Sequence, residues 1–270
     1  MLTYPAINPV AFQLGPLKIH WYGISYIIGI FAAWGLLKKR AFKLNLTAEQ
    51  ISDLVFYCTL GIIIGGRLGS VIFYNLPYYL EHPLEIIQIY KGGMSFHGGL
   101  LGVVVGIWYF GKKIGTGFFR VSDYLAPVVP VGLFCGRIAN FINGELWGAP
   151  SNLPWAMVFP SPAAGGIPRH PSQLYEAFLE GIVLFIILWM YSAKPRPTMA
   201  VSGLFLLGYG VFRASVEFVR EPDANIGYLA FNWVTMGQIL SLPMIIAGIA
   251  LMLLAYRNKK IQEAQDDTIP

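Results

Sequence analysis

Long unbroken apolar runs constrain this chain more than any other feature. They lie near residues 20–37, 54–79, 93–111, 124–142, 174–193, 200–219 and 233–256, and each is long enough to cross a hydrocarbon core of about 30 Å as a helix. A spanning strand would show alternation over only about ten residues, so helices are expected rather than a barrel. The second run is the least regular, with Arg67 inside it and Pro77 near its end. Only 12% of the residues are charged, against about 25% in globular domains. Lipid is the solvent this composition suits. The expected fold class is all-α: a polytopic integral membrane protein of about seven transmembrane helices. The first run carries only Lys18 ahead of it and Lys38, Lys39 and Arg40 behind, the wrong flanks for a cleavable signal peptide.

The basic residues orient the helices. Of 19 Lys and Arg, 12 fall in the first, third and fifth loops and the C-terminal tail: Lys38, Lys39, Arg40, Lys43, Lys112, Lys113, Arg120, Lys194, Arg196, Arg257, Lys259 and Lys260. The N-terminal segment and the other loops hold only Lys18, Lys91, Arg169 and Arg220. The N-terminus is therefore expected outside and the C-terminus in the cytoplasm. Because the net charge of +5 is distributed in clusters beside apolar runs, it points to a membrane and not to nucleic acid. The chain is expected to form a single transmembrane domain over 1–270, with an outer interfacial segment at 76–92 and an outer head at 143–173. Gly61, Gly65 and Gly69, and Gly98, Gly102 and Gly106, are spaced for close helix packing. Cys58 and Cys135 are expected to be buried hydrophobes, at depths too different for a disulfide.

Ionisable residues inside spans are costly and need a shared reason. Arg67, Arg137 and Arg213 each lie 13 residues beyond the cytoplasmic start of an outward-running helix, roughly 20 Å up at 1.5 Å per residue. His97 and Glu176 sit just inside the outer ends of inward-running helices; Glu217 follows Arg213 by one turn, and Tyr22 and Asn140 fall at similar levels. Such a set describes a polar chamber open to the outer leaflet with more guanidinium than carboxylate. It suits an anionic ligand such as a phospholipid headgroup. Plainer readings exist: Arg213 and Glu217 can neutralise each other as i,i+4 neighbours, Arg67 can brace helix packing, His97 can be a satisfied interior histidine and Glu176 a structural partner of an arginine. Arg137 resists a plain reading, because Asn140, Asn143 and Glu145 continue it as a polar stripe.

The stretch Gly136-Arg137-Ile138-Ala139-Asn140-Phe141-Ile142-Asn143-Gly144-Glu145-Leu146-Trp147-Gly148 closely resembles the signature of the prolipoprotein diacylglyceryl transferases of bacterial inner membranes. Supporting matches are His20-Trp21-Tyr22-Gly23, Gly65 to Gly69 around Arg67, Gly93 to Gly99 around His97, Arg169 to Glu176, and Phe212-Arg213 through Glu217 to Arg220. The resemblance implies a multi-pass inner-membrane enzyme that moves the diacylglyceryl group of phosphatidylglycerol onto the lipobox cysteine of a secreted prolipoprotein, releasing glycerol phosphate. It implies catalytic roles for His97, Arg137, Arg213 and Tyr22. Headgroup binding and orientation would fall to Arg137, Asn140, Glu145, Arg213, Glu217 and Arg67. No cofactor and no metal is expected, because phosphate is already the leaving group. The rival reading is a secondary transporter of an anionic solute, opposed by the lack of a repeat and by the height of the charges. A non-catalytic lipid-binding protein would need the arginines but not His97.

Overall fold

The computed structural model describes residues 2–89, 92–222, 227, 229, 231 and 233–266, without the side chains of 17 and 260–266. The chain is mostly helical, and every apolar run falls on helix. Five helical stretches are long and apolar enough to cross a membrane: Trp21–Lys39 (α1), Ala48–Phe73 (α2), Phe118–Asn143, Ser172–Tyr191 and Met236–Lys259, the last being most of α10 (Met236–Asp266). The remaining two runs form α4 (Phe96–Lys113) and α9 (Ala200–Glu217), 18 residues each. His97 with Lys112 and Lys113 dilutes the first, and Arg213 with Glu217 the second. The expected count of seven thus stands at five candidate spans.

Local chemistry explains the boundaries. α2 begins six residues earlier than the apolar run because Thr47 caps it: its hydroxyl accepts from the Gln50 N–H while the Gln50 side chain accepts from the Thr47 N–H. Thr235 and Gln238 repeat this reciprocal pair at the start of α10. The Phe118–Asn143 stretch is α5 (Phe118–Leu125), a 3-10 turn at Ala126–Val128 and α6 (Val129–Asn143). Pro127 and Pro130 remove two N–H donors there. The Ser172–Tyr191 stretch opens as α7 (Ser172–Glu176), widens into a π-helical segment at Ala177–Val183 and closes as α8 (Leu184–Tyr191).

By their contacts the residues form two compact units. The unit at 34–124 is built on α2 against α4, which meet through the expected glycines. A β-carbon on Gly65, Gly98 or Gly102 would press into the facing helix backbone, so only hydrogen fits. Residues 76–92 hold α3 (Leu76–Glu81) and a 3-10 helix at Pro83–Ile87, with Leu80, Leu84 and Ile87 each more than 70% exposed. Residues 90 and 91 of that stretch lie outside the described residues.

The other unit comprises 1–33 and 125–270. Its N-terminal hairpin pairs β1 (Val10–Leu14) with β2 (Leu17–His20). Residues 143–173 carry a second two-stranded pair, β3 (Met157–Val158) with β4 (Pro168–Arg169). This segment has a core of its own: Tyr4, Phe141, Met157, Phe159 and Ala164 are buried together, with Trp147 and Leu174 against them. The Tyr4 hydroxyl donates to the Phe141 carbonyl at 2.5 Å, tying the N-terminal segment to the end of α6.

Candidate functional site

The signature stretch folds as a helix end turned back on itself. Gly144 adopts the left-handed conformation (φ 66°) and stops α6. The chain reverses there, and Leu146 also takes a positive φ of 59°. The Glu145 carboxylate then accepts from Asn140 Nδ2 at 2.9 Å and Asn143 Nδ2 at 3.1 Å through one oxygen, Oε1. Gln173 donates to the Glu145 carbonyl at 2.5 Å, and the Ser172 hydroxyl to the Leu146 carbonyl at 2.9 Å. Asn140 and Glu145 thus form one hydrogen-bonded element. The Tyr22 phenol lies half-exposed within electrostatic reach of Glu145 and Arg137.

Behind this turn the unit contains a ladder of alternating charges. Arg137 on α6 places Nε 3.1 Å from Glu176 Oε2 and donates from Nη2 to Glu180 Oε2 at 3.5 Å. The first contact is close but poorly aligned as a hydrogen bond, since Glu176 Oε2 has no aligned donor; it is an ion pair by distance alone. Arg213 on α9 donates to Glu176 Oε1 and to Glu217 Oε1, both at 2.6 Å. Arg220 continues the ladder to Glu217 Oε1 at 3.0 Å. Glu176 and Glu180 are fully buried and Glu217 is nearly so.

The ladder departs from the expectation of excess guanidinium. Among the described residues of this unit, Arg137, Arg213 and Arg220 face the carboxylates of Glu176, Glu180 and Glu217. Burying these ions in a low dielectric requires such pairing. The plainer readings of Glu176 as an arginine's partner and of Arg213 and Glu217 as a mutually neutralising pair match these contacts. Glu180 was missed by sequence reasoning. Its signal was present, an ionisable residue four beyond Glu176 in an apolar span.

Arg67 and His97 belong to the 34–124 unit. The Arg67 guanidinium is buried and donates to the carbonyls of Glu85 (2.6 Å), Ile86 (2.7 Å), Gly92 (2.5 Å) and Gly93 (3.1 Å). Its fork is occupied by backbone that leads into α4. His97 stands exposed in the first turn of α4, beside Phe96, where Ser95 caps the helix by accepting from the Gly98 N–H at 3.2 Å. Cys58 is buried in this unit; Cys135, half-buried in the other, lies against Gly29.

In the outer segment, Arg169 is clamped by the Ala164 carbonyl (2.8 Å), the Gly148 carbonyl (3.2 Å) and Glu221 (2.9 Å). His170 Nδ1 pairs with the Tyr175 hydroxyl at 3.2 Å, and that hydroxyl accepts from Trp155 Nε1 at 2.7 Å. Burial holds the His170 imidazole below the ordinary histidine range.

The family model for prolipoprotein diacylglyceryl transferase matches residues 9–254. A phosphatidylglycerol–prolipoprotein diacylglyceryl transferase of Pseudomonas paraeruginosa is 60% identical over 264 residues, covering 97% of this chain and 98% of its own length. Proteins of the same name from Methylococcus capsulatus and Azotobacter vinelandii are 59% and 60% identical, with 96% of this chain covered in both and 99% and 98% of their own lengths.

Proposed function

This chain belongs to the prolipoprotein diacylglyceryl transferase family, and from that premise we propose that it transfers the diacylglyceryl group of phosphatidylglycerol to the thiol of a prolipoprotein's lipobox cysteine. A thioether forms at the glycerol carbon that bore the phosphate. The carbon–oxygen bond breaks, and glycerol phosphate leaves with its electron pair. The observation carrying this reading is the joining of Asn140 and Glu145 at the turn with the Arg137–Glu176–Arg213–Glu217 ladder behind it, all in one unit.

In this reading Arg137 and Arg213 stabilise charge on the departing phosphate, where a planar fork matches two oxygens at once. Asn140 and Glu145 orient the glycerol headgroup, and Glu217 holds Arg213 in place. Tyr22 contributes a phenol at the same chamber. His97 takes the proton from the incoming thiol, which is mostly protonated at neutral pH with a pKa near 8.5. Arg67 serves headgroup orientation at one remove, since its carbonyl contacts support a role in fixing the backbone that leads to His97.

The proposed setting is the bacterial inner membrane, with seven crossings, α4 and α9 included, the N-terminus outside and the C-terminus cytoplasmic. Residues 76–92 then lie along the outer interface and 143–173 form the outer head. The partners are phosphatidylglycerol and a prolipoprotein signal peptide. Reconstituted protein, a lipobox peptide and phosphatidylglycerol as the only lipid substrate should yield thioether-linked diacylglycerol on the peptide, detected by mass spectrometry. A peptide that stays unmodified, while the protein moves an anionic solute across sealed vesicles, would install the transporter reading instead.

A further inference from the structure

Glu180 is a carboxylate of the charge ladder that the proposed chemistry leaves unused, and of the three it is the most weakly held. Its side chain is fully buried. Among the described residues its sole aligned contact is the 3.5 Å bond from Arg137 Nη2, and its other oxygen, Oε1, is buried without a hydrogen-bond partner. Glu176 and Glu217 each accept a 2.6 Å bond from Arg213.

The backbone puts Glu180 in this position deliberately. It lies in the π-helical segment, a rare wide turn that is frequent at functional sites. The next residue, Gly181, lets α6 approach closely, since a β-carbon there would sit 2.7 Å from Phe134 Cβ. Phe134 is one turn before Arg137. The groups that act on Glu180 are Arg137 from α6, Glu176 from α7, and Arg213 and Tyr209 from α9.

Electroneutrality then poses a problem for ligand binding. Arg137 already faces two buried carboxylates, Glu176 and Glu180, so an anionic phosphate diester that engages its guanidinium adds a negative charge beside them that this cation does not offset. A buried carboxylate that loses its cation must find another partner or a proton. We propose that Glu180 is a proton-exchanging counter-ion to Arg137: as the phosphate diester of the lipid engages the guanidinium, Glu180 takes up one proton and the added negative charge is offset. Glu180 is thus a positioning residue that releases Arg137 to the headgroup and touches no reacting atom. The inference rests on the headgroup role given to Arg137 in the proposed function.

The test uses the full chain in phosphatidylcholine nanodiscs, titrated with short-chain phosphatidylglycerol. Calorimetry in buffers of differing ionisation enthalpy counts the protons, between pH 5.5 and 9. Wild type should take up as much as one proton per headgroup bound, with Kd rising by up to about tenfold per pH unit where Glu180 exchanges. Glu180→Gln, an uncharged isostere, should bind with no uptake and a flat pH profile. Binding without uptake in wild type, uptake that persists in Glu180→Gln, or no binding at all would each overturn the proposal. In wild type alone, a protonated-carboxyl band should appear in the infrared difference spectrum on lipid addition; its absence overturns the proposal even if the variant does not fold. Proton-coupled binding without transfer to a lipobox peptide would remove the proposed activity and leave this inference standing.

Discussion

Gly237 sits in the first turn of α10, and the carboxyl end of Glu217 lies across it. A β-carbon there would fall 2.6 Å from Glu217 Cδ and 2.8 Å from Cγ, where ordinary carbon contacts are about 3.5–4.0 Å. Gly237→Ala therefore forces the carboxylate to retreat by roughly 1 Å. That motion matters because Glu217 Oε1 accepts from both Arg213 (2.6 Å) and Arg220 (3.0 Å), and beyond about 3.5 Å neither remains a hydrogen bond. Two opposing terms meet here. Alanine gains up to about 1 kcal/mol of helix propensity over glycine, while a charged hydrogen bond is worth about 1.5–3 kcal/mol. With two such bonds strained, the loss wins, and stability should fall by about 1–3 kcal/mol. Arg213 would keep Glu176 but lose one of its two carboxylate anchors, and a 1 Å misplacement caused by a mutation away from the reacting atoms can cost about 100-fold. We expect kcat/KM for diacylglyceryl transfer to a lipobox peptide to fall by about 10- to 100-fold, measured where the variant is still folded. Gly132→Ala, whose β-carbon would meet nothing within 4 Å, is the control and should transfer normally. Full activity in Gly237→Ala would refute the claim that Glu217 positions Arg213.

Four further outcomes are expected. Arg137→Lys should lose most transfer activity although charge is kept, because a point charge cannot make a bidentate phosphate contact; wild-type turnover would show that net charge suffices. His97→Gln should still bind phosphatidylglycerol but transfer at least about tenfold more slowly if it is the general base, and single-turnover rates within about a factor of two of the parent would reject that role. Reporter fusions after residues 40, 150 and 260 should read inside, outside and inside; an outside signal at 40 or 260 would overturn the topology. Because burial lowers the His170 pKa, its contribution to the outer segment is complete above its unfolded pKa of about 6.5 and is lost as pH falls through its lower folded value. Hydrogen exchange around residues 155–175 should accelerate there, and His170→Phe should abolish the change.

The sequence alone determined where the long helices lie, because helix formation by an apolar run depends on local properties. Twenty consecutive apolar residues dictate a helix in lipid whatever their neighbours are. A Thr-x-x-Gln cap or a Gly144 stop acts over four residues, and the signature 136–148 announced Arg137, Asn140 and Glu145 as one feature because the turn that joins them is built from that same stretch. The glycines of α2 and α4 were legible as packing sites for the same reason of spacing. What only the tertiary structure decided was partnership. Arg67 and Arg137 look equivalent at equal depth, yet Arg67 is filled by carbonyls from 85–93 while Arg137 meets two carboxylates. Glu176 and Glu180 come from a helix whose π-helical register is invisible in an apolar sequence, and it is that register, with Gly181 drawing α6 close, that sets Glu180 against Arg137. Charge compensation in a low dielectric depends on distances of a few ångströms between residues more than 30 positions apart, and composition and spacing carry no record of such distances.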